Sequence, residues 1–262
     1  MNIVLAHGFL GFSKFLGVEY FNGVKERLEL VFPSIKVFVP QVAAAASIKE
    51  RGEQLGGQIN DAIGKDLLDP KEKVHIIAHS MGGLDARHVI SKDIGGIAAQ
   101  IRSLTTIGTP HGGSPIADLL MSSLHSEKLL RRIIETLGIP ISGLNDLTTD
   151  RAKTFDKEYP DRDGVQYSYI AGKGREAGLP TCGILLLPHS RIKHVTGDGE
   201  ENDGLVSVGS AIRGNRDEAV VWPTDHTDEI GHNLDGGSPL AQPVNFDYLG
   251  EYVRIVESLP KT

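Results

Sequence analysis

The sequence predicts an α/β protein built on a mostly parallel sheet of about six strands, with helices on both faces. Three observations lead there. Short β-branched runs alternate along the chain with stretches of helical periodicity, the pattern of strand–helix–strand units. The strand-like runs are largely apolar at successive positions, so both of their faces are expected to be covered. The 262 residues, 40% hydrophobic and 23% charged, suffice for one large domain whose core needs no disulfide or metal.

In chain order, the strand-like runs are residues 3–6, 35–40, 74–79, 101–108, 165–171 and 219–222. Tyr20, Val24, Leu28 and Val31 share one helical face, and Ile48, Leu55, Ile59 and Ile63 share another. Ser47 and Glu50 have capping-box spacing and mark the start of the second helix. A helix near the end is expected to carry Asn245 as N-cap, Val244 and Leu249 as a staple, and Tyr252, Val253 and Val256 on its apolar face.

Composition removes several functions. Thirty-four acids against 27 bases give a net charge of −7, and the bases are scattered, which argues against nucleic acid as a partner. No apolar tract reaches the roughly 18 residues of a membrane span. The chain runs from Met1-Asn2 directly into an apolar strand with no signal-peptide pattern, so the cytoplasm is the expected compartment, with leaderless export left open. The single cysteine, Cys182, excludes an intrachain disulfide. The 31 glycines, about 12% against an average near 7%, point to many tight turns or close backbone approaches.

In parallel sheets chemistry gathers at the carboxyl ends of the strands. There Ala78-His79-Ser80-Met81-Gly82 places a serine between strand and helix with small residues two before and two after, the spacing of a nucleophile elbow. Ala78 stands where glycine is usual. A serine hydroxyl needs a histidine base oriented by a carboxylate, and in this arrangement both follow the serine in the chain. Asp203, in the turn Asn202-Asp203-Gly204, and His226, after the last strand, are the expected partners, with His232 as the competing base. The backbone N–H groups of Met81 and of Phe9, in the His7-Gly8-Phe9 turn, are the expected oxyanion donors. His7, His79 and His111 read as structural hydrogen-bonding residues, and Asp85 and Arg87 as members of supporting ion pairs.

Five motifs in order, Ala6-His7-Gly8-Phe9-Leu10-Gly11-Phe12, Ala78-His79-Ser80-Met81-Gly82-Gly83, Ile107-Gly108-Thr109-Pro110-His111-Gly112-Gly113-Ser114, Asn202-Asp203-Gly204-Leu205-Val206 and Asp225-His226-Thr227-Asp228-Glu229, span most of the chain. In this the sequence resembles the bacterial true lipases of the Proteus and Pseudomonas type, which are α/β-hydrolases. The resemblance implies hydrolysis of triacylglycerols or other carboxylic esters by Ser80, Asp203 and His226, with Phe9 and Met81 as oxyanion donors. It also implies a structural calcium held by two aspartates. Asp228 fits the first, but Leu187-Pro188 stands where the second belongs. One carboxylate poorly suits a cation that takes six to eight oxygens, so calcium is expected to be absent or only weakly held at Asp228, and no cofactor is required.

The chain reads as one domain over 1–262 with a helical lid around 114–160. Ile116, Leu119, Leu120, Leu129 and Ile133 fall on the apolar faces of two short helices there and are expected to contact the acyl chain or a lipid–water interface. Packing of both faces on the core is the competing explanation. A short-chain carboxylesterase or thioesterase would use the same triad, and the fold alone would also permit a non-catalytic binding protein.

Overall fold

A computed structural model of the chain describes residues 1–9, 14–15, 18–126, 141–174, 185–196, 200–214, 219–232 and 246–260. Six strands form one parallel sheet: β1 (Asn2–Ala6), β2 (Lys36–Phe38), β3 (Val74–His79), β4 (Ile101–Ile107), β5 (Gln166–Gly172) and β6 (Val220–Trp222). Their order is β2-β1-β3-β4-β5-β6. All six expected runs are strands. The 35–40 run narrows to three residues and stops short of Pro40, which has no N–H to give a ladder. A two-residue antiparallel ribbon pairs Lys14–Phe15 with Val18–Glu19.

The helices are α1 (Val24–Val31), α2 (Ile48–Gly64), α3 (Met81–Lys92), α4 (Pro115–Ser126), α5 (Ile141–Asp146), α6 (Thr149–Glu158), α7 (Leu186–Thr196), α8 (Val208–Ala211) and α9 (Tyr248–Ser258). The strand period of two sorts the core into two layers. Ile3 and Leu5 of β1 pack with Val24 and Leu28 of α1 and Tyr252 and Val256 of α9. Val4 and Ala6 face the other way, onto Leu55 and Ile59 of α2 and Ala86 and Val89 of α3. Each of these large apolar side chains contributes about 1.5–3 kcal/mol by leaving water.

Two helix starts differ from expectation. α1 begins at Val24 behind Gly23, whose φ is +67°, so Tyr20 lies in the bend before the helix and not on its face. α9 is capped by Asp247, whose Oδ1 accepts the Gly250 N–H at 2.9 Å; Asn245 and Val244 lie outside the described residues. Ser47 does cap α2, with Oγ accepting from Glu50 N at 3.2 Å.

Position in the sheet then fixes the site. The chain leaves β1 to one side for β2 and returns on the other side for β3, which opens a crevice at the carboxyl ends of β1 and β3. Pairing of Ala6 with Ala78 and of His79 with Ile107 brings the ends of β1, β3 and β4 level. Above them a third cluster joins Ile48, Met81 and Leu84 to Ala117, Leu144, Leu147 and Phe155. The expected second lid helix, with Leu129 and Ile133, lies outside the described residues.

Candidate active site

Ser80 follows β3 directly and caps α3 with φ +56° and ψ −133°. Three bonds hold that turn. Ser80 N donates to Ile107 O at 2.9 Å, and Ser80 O accepts from Gly83 N at 3.1 Å and from Thr109 Oγ1 at 2.8 Å. Gly82 lets α3 lie against β1, because a Cβ there would collide with the Ala6 carbonyl and come within 2.7 Å of the His7 carbonyl oxygen. Ala78, fully buried, is accommodated where glycine is usual.

Ser80 Oγ lies 3.0 Å from His226 Nε2, and His226 Nδ1 lies 2.7 Å from Asp203 Oδ2. The carboxylate can only accept, so Nδ1 carries the imidazole proton and Nε2 is left to accept from the serine. Asp203 is oriented by its own turn. Its Oδ1 accepts the N–H groups of Leu205 at 2.8 Å and Val206 at 2.7 Å, which leaves Oδ2 for the histidine. His226 N donates to Asp203 O at 3.0 Å and locks the two loops together. The competing base, His232, bonds instead to the Tyr20 carbonyl at 2.8 Å through Nε2.

The loop after β1 crosses in front of the serine. A Cβ on Gly8 would sit 2.5 Å from Ser80 Cβ, so only glycine permits the crossing. Its direction is set by Arg51, fully buried on α2. Arg51 Nη2 donates to His7 O at 2.8 Å and Gly8 O at 3.2 Å, Nη1 donates to Ala43 O at 2.6 Å, and Nε donates to Asp85 Oδ2 at 2.8 Å. Within one planar peptide the Gly8 carbonyl and the Phe9 N–H point in opposite directions. Tying the carbonyl to Arg51 therefore turns the Phe9 N–H the other way. Burial pushes the Asp85 carboxyl up to about 6 against the pull of Arg51.

The remaining expected residues have ordinary placements. His7 is held neutral by burial, its pKa lowered to about 4, and bonds the Gly8 carbonyl and Val42 N. His111, held well below its usual range by burial, bonds Thr106 and Arg87. Arg87 pairs with Asp156 at 2.7 Å. A cavity of about 490 Å³ opens over Ser80 and His226, lined by Phe9, Ile116, Leu120, Leu144, Leu147 and Leu205 among others. Leu119 is 40% exposed and lies outside this lining.

Three site residues were missed in the sequence. Arg51 falls between Ile48 and Leu55 on the apolar stripe of α2, where a charge demands a buried partner, so a signal was present. Tyr20 was absorbed into a helix pattern. Glu229, three residues after His226, is fully buried with Oε2 2.9 Å from His79 Nε2 and 3.7 Å from His226 Nδ1. No local pattern separates it from Asp228.

A parallel sheet in this order, with a serine, a histidine and an aspartate gathered at its carboxyl ends, defines an α/β-hydrolase. Residues 48–131 match the family described as PGAP1-like alpha/beta domain. Across 87% of its length the chain is 31% identical to a triacylglycerol lipase of Vibrio cholerae, covering 78% of that protein. Across 98% it is 30% identical to a triacylglycerol lipase of Pseudomonas fragi, covering 96%. Among solved structures, mature Bacillus licheniformis lipase superposes with a TM-score of 0.65 at 22% identity, covering 89% of this chain and 87% of that one. Lipase 1 of Pelosinus fermentans gives 0.61 at 18% identity, covering 97% and 98%. The chain belongs to the bacterial triacylglycerol lipase family of the α/β-hydrolase superfamily and is an ester-hydrolysing enzyme.

Arg51→Lys keeps the charge beside Asp85 but cannot bridge three carbonyls at once. In steady-state assays with a soluble ester it should lower kcat by about tenfold or more, the scale of a disturbed oxyanion donor, with KM nearly unchanged. An unaltered kcat would contradict the clamp.

Proposed function

We propose that Ser80 is the nucleophile of an acyl-enzyme mechanism acting on lipid esters, triacylglycerols among them, with His226 as general base and Asp203 as its orienting carboxylate. The observation that carries this reading is the unbroken line Ser80–His226–Asp203, at 3.0 and 2.7 Å, on the floor of an apolar cavity. His226 takes the hydroxyl proton as Ser80 Oγ bonds to the ester carbonyl carbon. It returns that proton to the leaving alcohol as the C–O bond breaks, and water then repeats the sequence on the acyl-enzyme.

The N–H groups of Phe9 and Met81 receive the negative oxygen of the tetrahedral intermediate. Neither has a hydrogen-bond partner among the described residues, and Met81 follows the nucleophile directly, at the N-terminus of α3. Ile116 and Leu120, both on α4, contact the acyl chain from the cavity wall. Leu119 and Leu120, each 40% exposed, give α4 an apolar surface fit to meet a lipid–water interface and to act as a cover.

The reading requires no metal, and the residues present do not fit the calcium that the resemblance implies. Leu187 is 84% exposed at the place of a second ligand. Among the described residues the His, Asp and Glu side chains close enough to share an ion are His79, His226 and Glu229, which contact one another or Asp203. Asp228 is not among them. The melting temperature should be the same with and without a chelator; a fall of several degrees in the chelator would overturn this.

On purified protein, activity should persist along a series of esters to long, water-insoluble acyl chains. Ser80→Ala should reduce kcat by about 10⁴-fold or more, the scale of lost triad members. Activity peaking on the shortest soluble esters would point to an esterase, and retained turnover in Ser80→Ala would sink the triad.

A further inference from the structure

A row of hydrogen bonds runs behind the triad from the oxyanion loop to Glu229. Gly8 N donates to Tyr20 Oη at 3.0 Å, Tyr20 Oη lies 2.7 Å from His79 Nδ1, and His79 Nε2 lies 2.9 Å from Glu229 Oε2. His79 also packs against the base, with its ring 4.5 Å from that of His226 and tilted by 43°. Each contact needs one proton, and the supply decides which way the row points.

Glu229 is fully buried, and among the described residues no Lys or Arg pairs with it. Burial, with Asp203, Asp225 and Asp228 nearby, pushes its carboxyl well above the usual range, which favours the protonated acid. Oε1 lies against the Gly172 backbone, near that N–H but outside good hydrogen-bond geometry. The proton finds its acceptor in His79, whose Nε2 lies 2.9 Å from Oε2. On Oε2 it donates to His79 Nε2.

His79 is neutral, its pKa held well below the usual range by burial and by His226. With Nε2 accepting, its only N–H is on Nδ1 and is given to Tyr20. Tyr20 Oη then accepts from both Gly8 and His79, which fills its lone pairs, and its own proton must find an acceptor elsewhere. The hydroxyl stands before the nucleophile: a Cβ on Gly8 would lie 2.7 Å from Tyr20 Oη and 3.0 Å from Ser80 Oγ, and Tyr20 lines the cavity.

We propose that Tyr20 is a third hydrogen-bond donor to the bound ester, aimed at its alcohol-side oxygen and turned toward the cavity by the His79–Glu229 pair behind it. This rests on the Ser80 reading. Phe9 and Met81 serve the carbonyl oxygen, so the acceptor left on an ester is the alkoxy oxygen. Tyr20 keeps its proton throughout, burial having raised its pKa, and His226 alone delivers a proton to the leaving alcohol. In the opposite tautomer the Tyr20 proton is taken up by His79, and the hydroxyl only supports Gly8.

The test is the protonation of His79 in ¹⁵N-histidine-labelled wild-type enzyme by long-range ¹H–¹⁵N NMR. Its signals are assigned by their loss in His79→Gln or, should that variant not fold, by their shift in Tyr20→Phe. The expected result is a protonated Nδ1 and a bare Nε2; a protonated Nε2 overturns the proposal. In kinetics, Tyr20→Phe should lose about tenfold in kcat/KM on alkyl esters, the scale of one hydrogen bond. On p-nitrophenyl esters, whose alcohol leaves unaided, it should lose less than about threefold. Equal losses on both would reduce Tyr20 to a support and overturn it. Glu229→Gln, whose amide N–H replaces the acid O–H, should keep the pH profile of kcat. A shift of its acid limb to lower pH would mean an ionised Glu229 and also overturn the proposal. Ser80→Ala that stays active would sink the triad and the Tyr20 role with it, while leaving the His79 tautomer readable, so the two failures are distinguishable.

Discussion

Ser80 sits in a left-handed backbone conformation, φ +56°, that costs a non-glycine residue about 1–3 kcal/mol, and the contacts around it exist to hold it there. β4 takes its N–H, while Thr109 and Gly83 take its carbonyl. Gly82 lets α3 start against the end of β1. The strain lifts the hydroxyl clear of the sheet into the crevice between β1 and β3, and only from there can it meet a histidine delivered by the loop after β6. The crevice in turn exists because the chain reverses direction across the sheet after β2. Topology, glycine placement and the line from serine to aspartate are thus one constraint seen at three scales.

Electrostatics completes what sterics begins. Two of the charged-type side chains buried near the serine, Arg51 and Glu229, are accommodated differently. Arg51 is surrounded by Asp85 and three carbonyls, which accept its N–H groups. Removing one partner of such a buried pair costs about 3–5 kcal/mol, so this clamp ties stability to the course of the loop after β1 in front of Ser80. Glu229 has carboxylates as its charged neighbours, and burial among them pushes its carboxyl well above the usual range. The two glycines beside it, Gly108 and Gly172, leave room for its carboxyl and for nothing larger than hydrogen at their own Cα.

Much of this was legible in the sequence. All six strands could be read because β-branched runs bounded by turn residues have few alternative explanations, and Ser80, Asp203 and His226 stand together where chain order put them. The cap at Asn245 was misplaced by two residues, because Asp247 offers the same side-chain oxygen closer to the first turn. Tyr20 shares a helical face with Val24 and Leu28 on paper, but the helix starts only after Gly23. Glu229 and Gly172 could not be joined in sequence, since 57 positions separate them (229 against 172) and only the pairing of β5 with β6 brings their loops together. Periodicity reports one element at a time, whereas the site is made where several elements end.

The most direct test of the account is the structure of the enzyme after reaction with a long-chain alkyl phosphonate, whose phosphorus mimics the tetrahedral carbon. The account predicts phosphorus bonded to Ser80 Oγ, the phosphoryl oxygen against the N–H groups of Phe9 and Met81, and the alkyl chain lying along Ile116, Leu144 and Leu147. An adduct on another residue, or a phosphoryl oxygen turned away from both N–H groups, would contradict it.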